Sequence, residues 1–115
     1  MTTKIVLLGI VPSKKNSRIN TRSGMSFPSK KHTEWHKDVV KQVANVKPIP
    51  TPTPIIFTYY SDSLRSGDLS NKWQSIEDMF TDVGIISDDN WFVLNDIHMK
   101  FGGVDRSNPR AEIEF

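Results

Sequence analysis

Four prolines within seven residues, Pro48, Pro50, Pro52 and Pro54, divide the chain near its middle and limit what either side can become. Proline has no backbone N–H and a fixed φ, so the run Pro48-Ile49-Pro50-Thr51-Pro52-Thr53-Pro54 can be neither helix nor central strand. It is expected to form an extended, polyproline-like connector. The run is too short to separate two domains, and 115 residues suit a single domain with one core, small enough for oligomerisation to help stabilise it. Charge changes sign across the connector. Residues 1–50 carry ten Lys or Arg against Glu34 and Asp38, a net +8, whereas residues 51–115 carry five against eleven, a net −6. A basic half suits a polyanion and an acidic half suits divalent cations. Solvated charge on an ordinary surface accounts for the split about as well.

The chain has no cysteine, which removes disulfides and thiolate zinc sites and fits a reducing compartment. No apolar run approaches the ~20 residues of a membrane span, and the one after Lys4 is too short and too soon interrupted to be a signal peptide. A soluble, cytoplasmic protein with no membrane contact is expected.

Lys4 to Val11 places apolar residues on both alternating faces and reads as a well-buried strand inside a sheet. Pro12 to Pro28 is rich in Ser, Asn, Lys and Arg, and reads as a basic loop or irregular hairpin with a short returning strand over Met25 to Phe27. Ser29 can cap a helix running to about Val46, with Trp35, Val39, Val43 and Val46 as its apolar stripe. Ile55 to Ser61 is β-branched and aromatic, a second strand. A polar loop, Asp62 to Gly67, then delivers Asp68 to a second helix over Lys72 to Val83. There Trp73, Ile76, Phe80 and Val83 recur at steps of three and four; Asp68 or Ser70 would cap its start and Gly84 would end it. Trp91 to Phe101 alternates as a half-buried strand, Gly102-Gly103 opens a turn that Asn108-Pro109 closes, and Arg110 to Phe115 alternates again. The last two strands are therefore expected to form an antiparallel hairpin. The order β-α-β-α-β-β predicts an α+β two-layer sandwich, a mixed four-stranded sheet with two helices.

Carboxylates bracket the second helix: Asp68 within Gly67-Asp68-Leu69-Ser70-Asn71 at its start, and Asp88-Asp89 within Ser87-Asp88-Asp89-Asn90 past its end. Together with Pro12-Ser13 and Asn16 in the basic loop, Asp78 and Gly84, this pattern resembles the RusA family of Holliday junction resolvases over essentially the whole chain. The resemblance implies a homodimeric, Mg²⁺-dependent endonuclease that cuts branched DNA, above all four-way junctions, in recombination and repair. It also implies a carboxylate pocket fed by both subunits and no small-molecule cofactor. By position, Asp68 and Asp89 take the catalytic, metal-binding places, and Asp88 and Asp78 match further acidic ones. Hard oxygen ligands of this kind hold Mg²⁺ for phosphodiester hydrolysis. Lys14, Lys15, Asn16, Arg18 and Arg22 are the expected backbone contacts that position a DNA arm.

Two positions depart from the family pattern. Ser70 stands where the second aspartate of Asp-x-Asp-Asn belongs, and Gln74 where a lysine belongs. Gln74 can hydrogen-bond a phosphate without neutralising it, and Lys72 lies about 200° around a helix from it, a poor direct substitute. These departures support a second reading, a junction-binding protein with weak or lost cleavage. A third is a metal-dependent nuclease with no preference for junctions. Plainer roles compete at each site: a simple N-cap for Asp68, a turn former for Asp88 and a solvated helix carboxylate for Asp78. His32 and His36, at i and i+4 with no third ligand nearby, read as surface residues, as does His98. Trp35, Trp73 and Trp91 are assigned to the core or a sheet face.

Overall fold

The computed structural model describes residues 3–13, 18–20, 22–24, 26–65 and 67–115. In chain order its elements are β1 (Lys4–Leu8), β2 (Arg18–Asn20), β3 (Ser26–Pro28), α1 (Lys30–Gln42), β4 (Ile55–Ser61), α2 (Leu69–Asp82), β5 (Ile97–Val104) and β6 (Arg110–Glu114). β2 and β3 make a small antiparallel hairpin, the irregular hairpin expected of the basic segment. The other four strands form a mixed sheet in the order β1-β6-β4-β5, so the fold is the expected α+β sheet with two helices. The pairs β1–β6 and β6–β4 are antiparallel, whereas β4–β5 is parallel.

Alternation builds the inner face. Ile5, Leu7, Ile55, Phe57, Tyr59, Ala111 and Ile113 are buried in one cluster with Trp35, Val39 and Val43 from the first helical segment and Trp73, Ile76, Met79 and Phe80 from α2. Local chemistry fixes both helix starts: Ser29 Oγ accepts from His32 N–H at 3.2 Å, and Asp68 accepts from Ser70 N–H at 2.9 Å. Gly84, with φ +79°, takes the left-handed turn just past α2. Across the helices, His36 Nε2 lies 3.3 Å from Asp82 Oδ2, a surface pairing rather than a metal site.

Five expectations are corrected. β1 is an edge strand rather than an inner one, with Val6 and Leu8 exposed. Its uncovered backbone is partly met by Gln42, whose amide donates to Leu8 O and accepts from Leu8 N–H. The last two strands form no hairpin, because β6 inserts between β1 and β4 while β5 pairs on the far side of β4. The strand expected from Trp91 starts only at Ile97: Asn90 captures the chain by accepting from Phe92 N–H on its side chain and from Leu94 N–H on its carbonyl, folding residues 90–94 into a turn. Trp91 is consequently 76% exposed. Gly102-Gly103 lies within β5, not in a turn. Val83 caps α2 and is exposed, and Met79 takes its place in the buried stripe.

On the outer sheet face the Tyr60 ring lies under the Arg110 guanidinium, 3.8 Å from ring centroid to carbon, and beside Gly102. A Cβ on Gly102 would fall 2.6 Å from Tyr60 Cε1 and 2.9 Å from Thr58 Cγ2. Gly102→Ala is therefore expected to destabilise the protein by about 1–3 kcal/mol, read from urea unfolding. Glu112 sits between Arg110 (2.8 Å) and Lys4 (3.1 Å), and the Arg110 hydrogen bond, helped by Lys4, holds its pKa below the ordinary Glu value. A carboxylate lowered in the folded state contributes stability that is present above its unfolded pKa and lost as pH falls through its folded one. Stability should thus decline as pH drops below about 4.5, and Glu112→Gln should flatten that decline in a pH series of melting temperatures.

Candidate functional site

The unit β4–α2–β5 is a parallel strand pair joined through a helix, and such units present ligands at the carboxyl ends of their strands. A cleft of about 520 Å³ opens at that place. Its polar lining includes Asp62 and Arg65 from the β4–α2 loop and Asp68 and Lys72 from the first turn of α2; Tyr59, Phe101, Leu64 and Ile10 supply apolar wall.

Asp68 is both N-cap and cleft residue. Its Oδ1 accepts from the Ser70 N–H at 2.9 Å and from the Ser70 hydroxyl at 2.7 Å. The Ser70 side chain thus holds Asp68 in place and adds no charge of its own. A carboxylate at a helix N-terminus is also favoured by the macrodipole. Asp62 has no counterpart among the residues singled out from sequence, because a loop carboxylate carries no periodic or motif signal.

Lys72 is a half-buried cation on the cleft wall. Its ammonium donates to Val11 O and lies 5.5 Å from the centre of the Tyr59 ring. Burial, and secondarily the positive charge of Lys31, lowers its pKa, while Asp62 acts in the opposite direction. Burial likewise raises the pKa of the Tyr59 phenol, whose oxygen accepts from Val11 N–H at 3.3 Å. One residue further on, Pro12 O accepts from the buried Ser75 hydroxyl at 2.8 Å. These bonds fix residues 11–12, where the basic segment begins, against α2 beside Lys72. Of its expected DNA contacts, Lys14, Lys15 and Asn16 lie outside the described residues; Arg18 belongs to β2 and Arg22 is exposed in the turn after it.

The remaining predicted residues lie elsewhere. Gln74 is exposed on α2 and does not line the cleft, whereas Lys72 does. Asp78 is half-buried ten residues along the helix from Asp68, about 15 Å of axial rise. Asp88 and Asp89 are exposed in the connection between α2 and β5. Asp88 builds the turn there, accepting from Asp89 N–H at 2.7 Å and from the Asn90 amide at 3.0 Å, and these bonds lower its pKa. Asp96, at the end of this connection, is bonded through its carbonyl to Ile55, the first residue of β4, so the connection returns to the opposite end of that strand from the cleft.

The donors in the cleft are hard oxygens, and Mg²⁺ is commonly held by one or two carboxylates completed by water and substrate phosphate. Asp62 and Asp68 fit that pattern. Among the described residues, no three His, Asp or Glu side chains gather into a metal-holding group, so one copy of the chain does not unite Asp68 with Asp88 and Asp89. No helix among the described residues is long and apolar enough to cross a membrane. Compared with protein-family models and with curated proteins, the sequence matches none.

Proposed function

We propose that this protein is a Mg²⁺-dependent endodeoxyribonuclease of the RusA type, acting as a homodimer on four-way junctions and other branched DNA. The observation that carries this reading is the placement of Asp68: it shares a cleft with Asp62 and Lys72, and Lys72 bonds Val11, just before the basic segment begins. Asp68, with Asp62, would hold the metal, and bound Mg²⁺ would supply electrophilic activation of the phosphate and an acidified water. Lys72 offers a cation beside the same phosphate, the role that Gln74 cannot fill from its exposed position. Asp89 belongs to this site only through a second copy, since the 14-residue α2, about 21 Å long, separates the ends of the helix that carry the two carboxylates. Asp88 then orders the turn presenting Asp89, and Asp78 is not needed at the metal.

One observation favours the second reading, a junction binder with weak cleavage. Ser70 uses its hydroxyl to bond Asp68, leaving the cleft one carboxylate short of the family pattern. The two readings part on a labelled four-way junction and a matched linear duplex, each incubated with Mg²⁺ or EDTA. Paired incisions confined to the junction and dependent on Mg²⁺ support the nuclease. Tight junction binding without incision supports the binder, and equal cutting of both DNAs removes the preference for branched substrates.

A further inference from the structure

Much of the cleft wall is apolar, which metal and phosphate chemistry leaves unused. Ile10, Leu64, Leu69 and Val104 line it with Phe101, and Phe101 and Leu64 remain 58% and 83% exposed. Phe101 is opposite Tyr59 in the β4–β5 register, yet Tyr59 is buried and Phe101 is not. An uncovered aromatic face at the mouth of a cleft offers a surface for stacking. The volume, about 520 Å³, lies in the range that admits a nucleoside-sized group and is far too small for stacked base pairs. Lys72 and Arg65 supply donors for a phosphate at the same cleft.

We propose that the cleft takes one unpaired nucleotide of DNA, its base stacked on Phe101 and its phosphate held by Lys72 and Arg65. This rests on the reading of the protein as one that acts on DNA and narrows it: the preferred substrate carries an unstacked base at the branch. A base within a duplex is covered on both faces by its neighbours and cannot reach Phe101. An unpaired base loses little on leaving its stack, and any base has a π-face to offer, so selection is for base exposure rather than for sequence.

The test places 2-aminopurine, a base whose fluorescence is quenched by stacking, either unpaired at the branch of a DNA or paired within a linear duplex. Each is titrated in EDTA with the wild-type protein, Phe101→Ala and Phe101→Trp. The unpaired base should be dimmer in the wild-type complex than in the Phe101→Ala complex, and Phe101→Ala should bind that DNA roughly tenfold more weakly while its duplex affinity is unchanged. Phe101→Trp should retain both quenching and affinity. Binding of the branched DNA with equal fluorescence and affinity for wild type and Phe101→Ala would overturn the stacking site and leave the nuclease reading standing. Failure of the wild-type protein to bind either DNA would overturn both.

Discussion

Asp68→Asn is expected to lower metal-dependent cleavage of a four-way junction on the order of 10³-fold while leaving the fold and DNA binding in place. Asparagine caps a helix as well as aspartate, and its Oδ1 can still accept from the Ser70 N–H and hydroxyl that now bond Asp68. The substitution therefore removes the negative charge and keeps the cap. Asp68→Ala should lose the same activity and in addition about 1 kcal/mol of stability with the cap, so the pair separates charge from capping. Asp89→Asn should also abolish cleavage, with junction binding intact or tighter because a negative charge near phosphate is gone. If the site draws Asp68 from one copy and Asp89 from its partner, mixing the two Asn variants regains part of the activity, because a mixed dimer holds one site with both carboxylates. Gel-resolved cleavage by each variant and by the mixture, beside their melting curves, decides the matter. Unfolding of Asp68→Asn would assign the residue a purely structural role.

Trp73→Ala carries the largest expected effect on stability, about 3–5 kcal/mol. Trp73 is 2% exposed, its ring centre 5.5 Å from that of Phe57 on β4 and 6.5 Å from that of Phe80 two turns along α2. It therefore joins the sheet to the helix whose first residues carry the cleft. A loss of that size is a large part of the 5–15 kcal/mol that holds an ordinary domain together, so urea should unfold the variant at a much lower midpoint. Trp91→Ala, at a site 76% exposed, should change stability by no more than about 0.5 kcal/mol. Equal effects at the two tryptophans would mean that α2 is not anchored as described.

These two tryptophans also mark what the sequence could and could not disclose. Trp73 lies on a 3.6-residue repeat with Ile76 and Phe80, and a repeat of that length has one physical solution, a buried helical stripe. Trp91 heads an alternating pattern that resembles a strand, but Asn90 bonds the next residues locally and a turn wins over a ladder. Local chemistry is legible where a capping or turn residue meets no competing periodicity, as at the Ser29 and Asp68 caps and the Asp88 turn. Pairing order was not, because alternation says which residues share a face and nothing about which strand lies alongside. β6 therefore appeared as the hairpin partner of β5, whereas it lies between β1 and β4. The cleft was half visible for the same reason. Asp68 carried a motif, but Asp62, Tyr59 and Phe101 arrive from a loop and two strands with no spacing to connect them. Helical geometry rightly set Lys72 apart from the Gln74 face, yet it is the Lys72 side of α2 that borders the cleft.

The most direct measurement of the central claim is the single-turnover rate at which a labelled four-way junction is cut as Mg²⁺ is raised from zero, for wild type beside Asp68→Asn. The account predicts a rate that rises with Mg²⁺, saturates, and is nearly absent in the variant at every concentration. A wild-type rate indifferent to Mg²⁺, or cutting by Asp68→Asn at the wild-type rate, would contradict it.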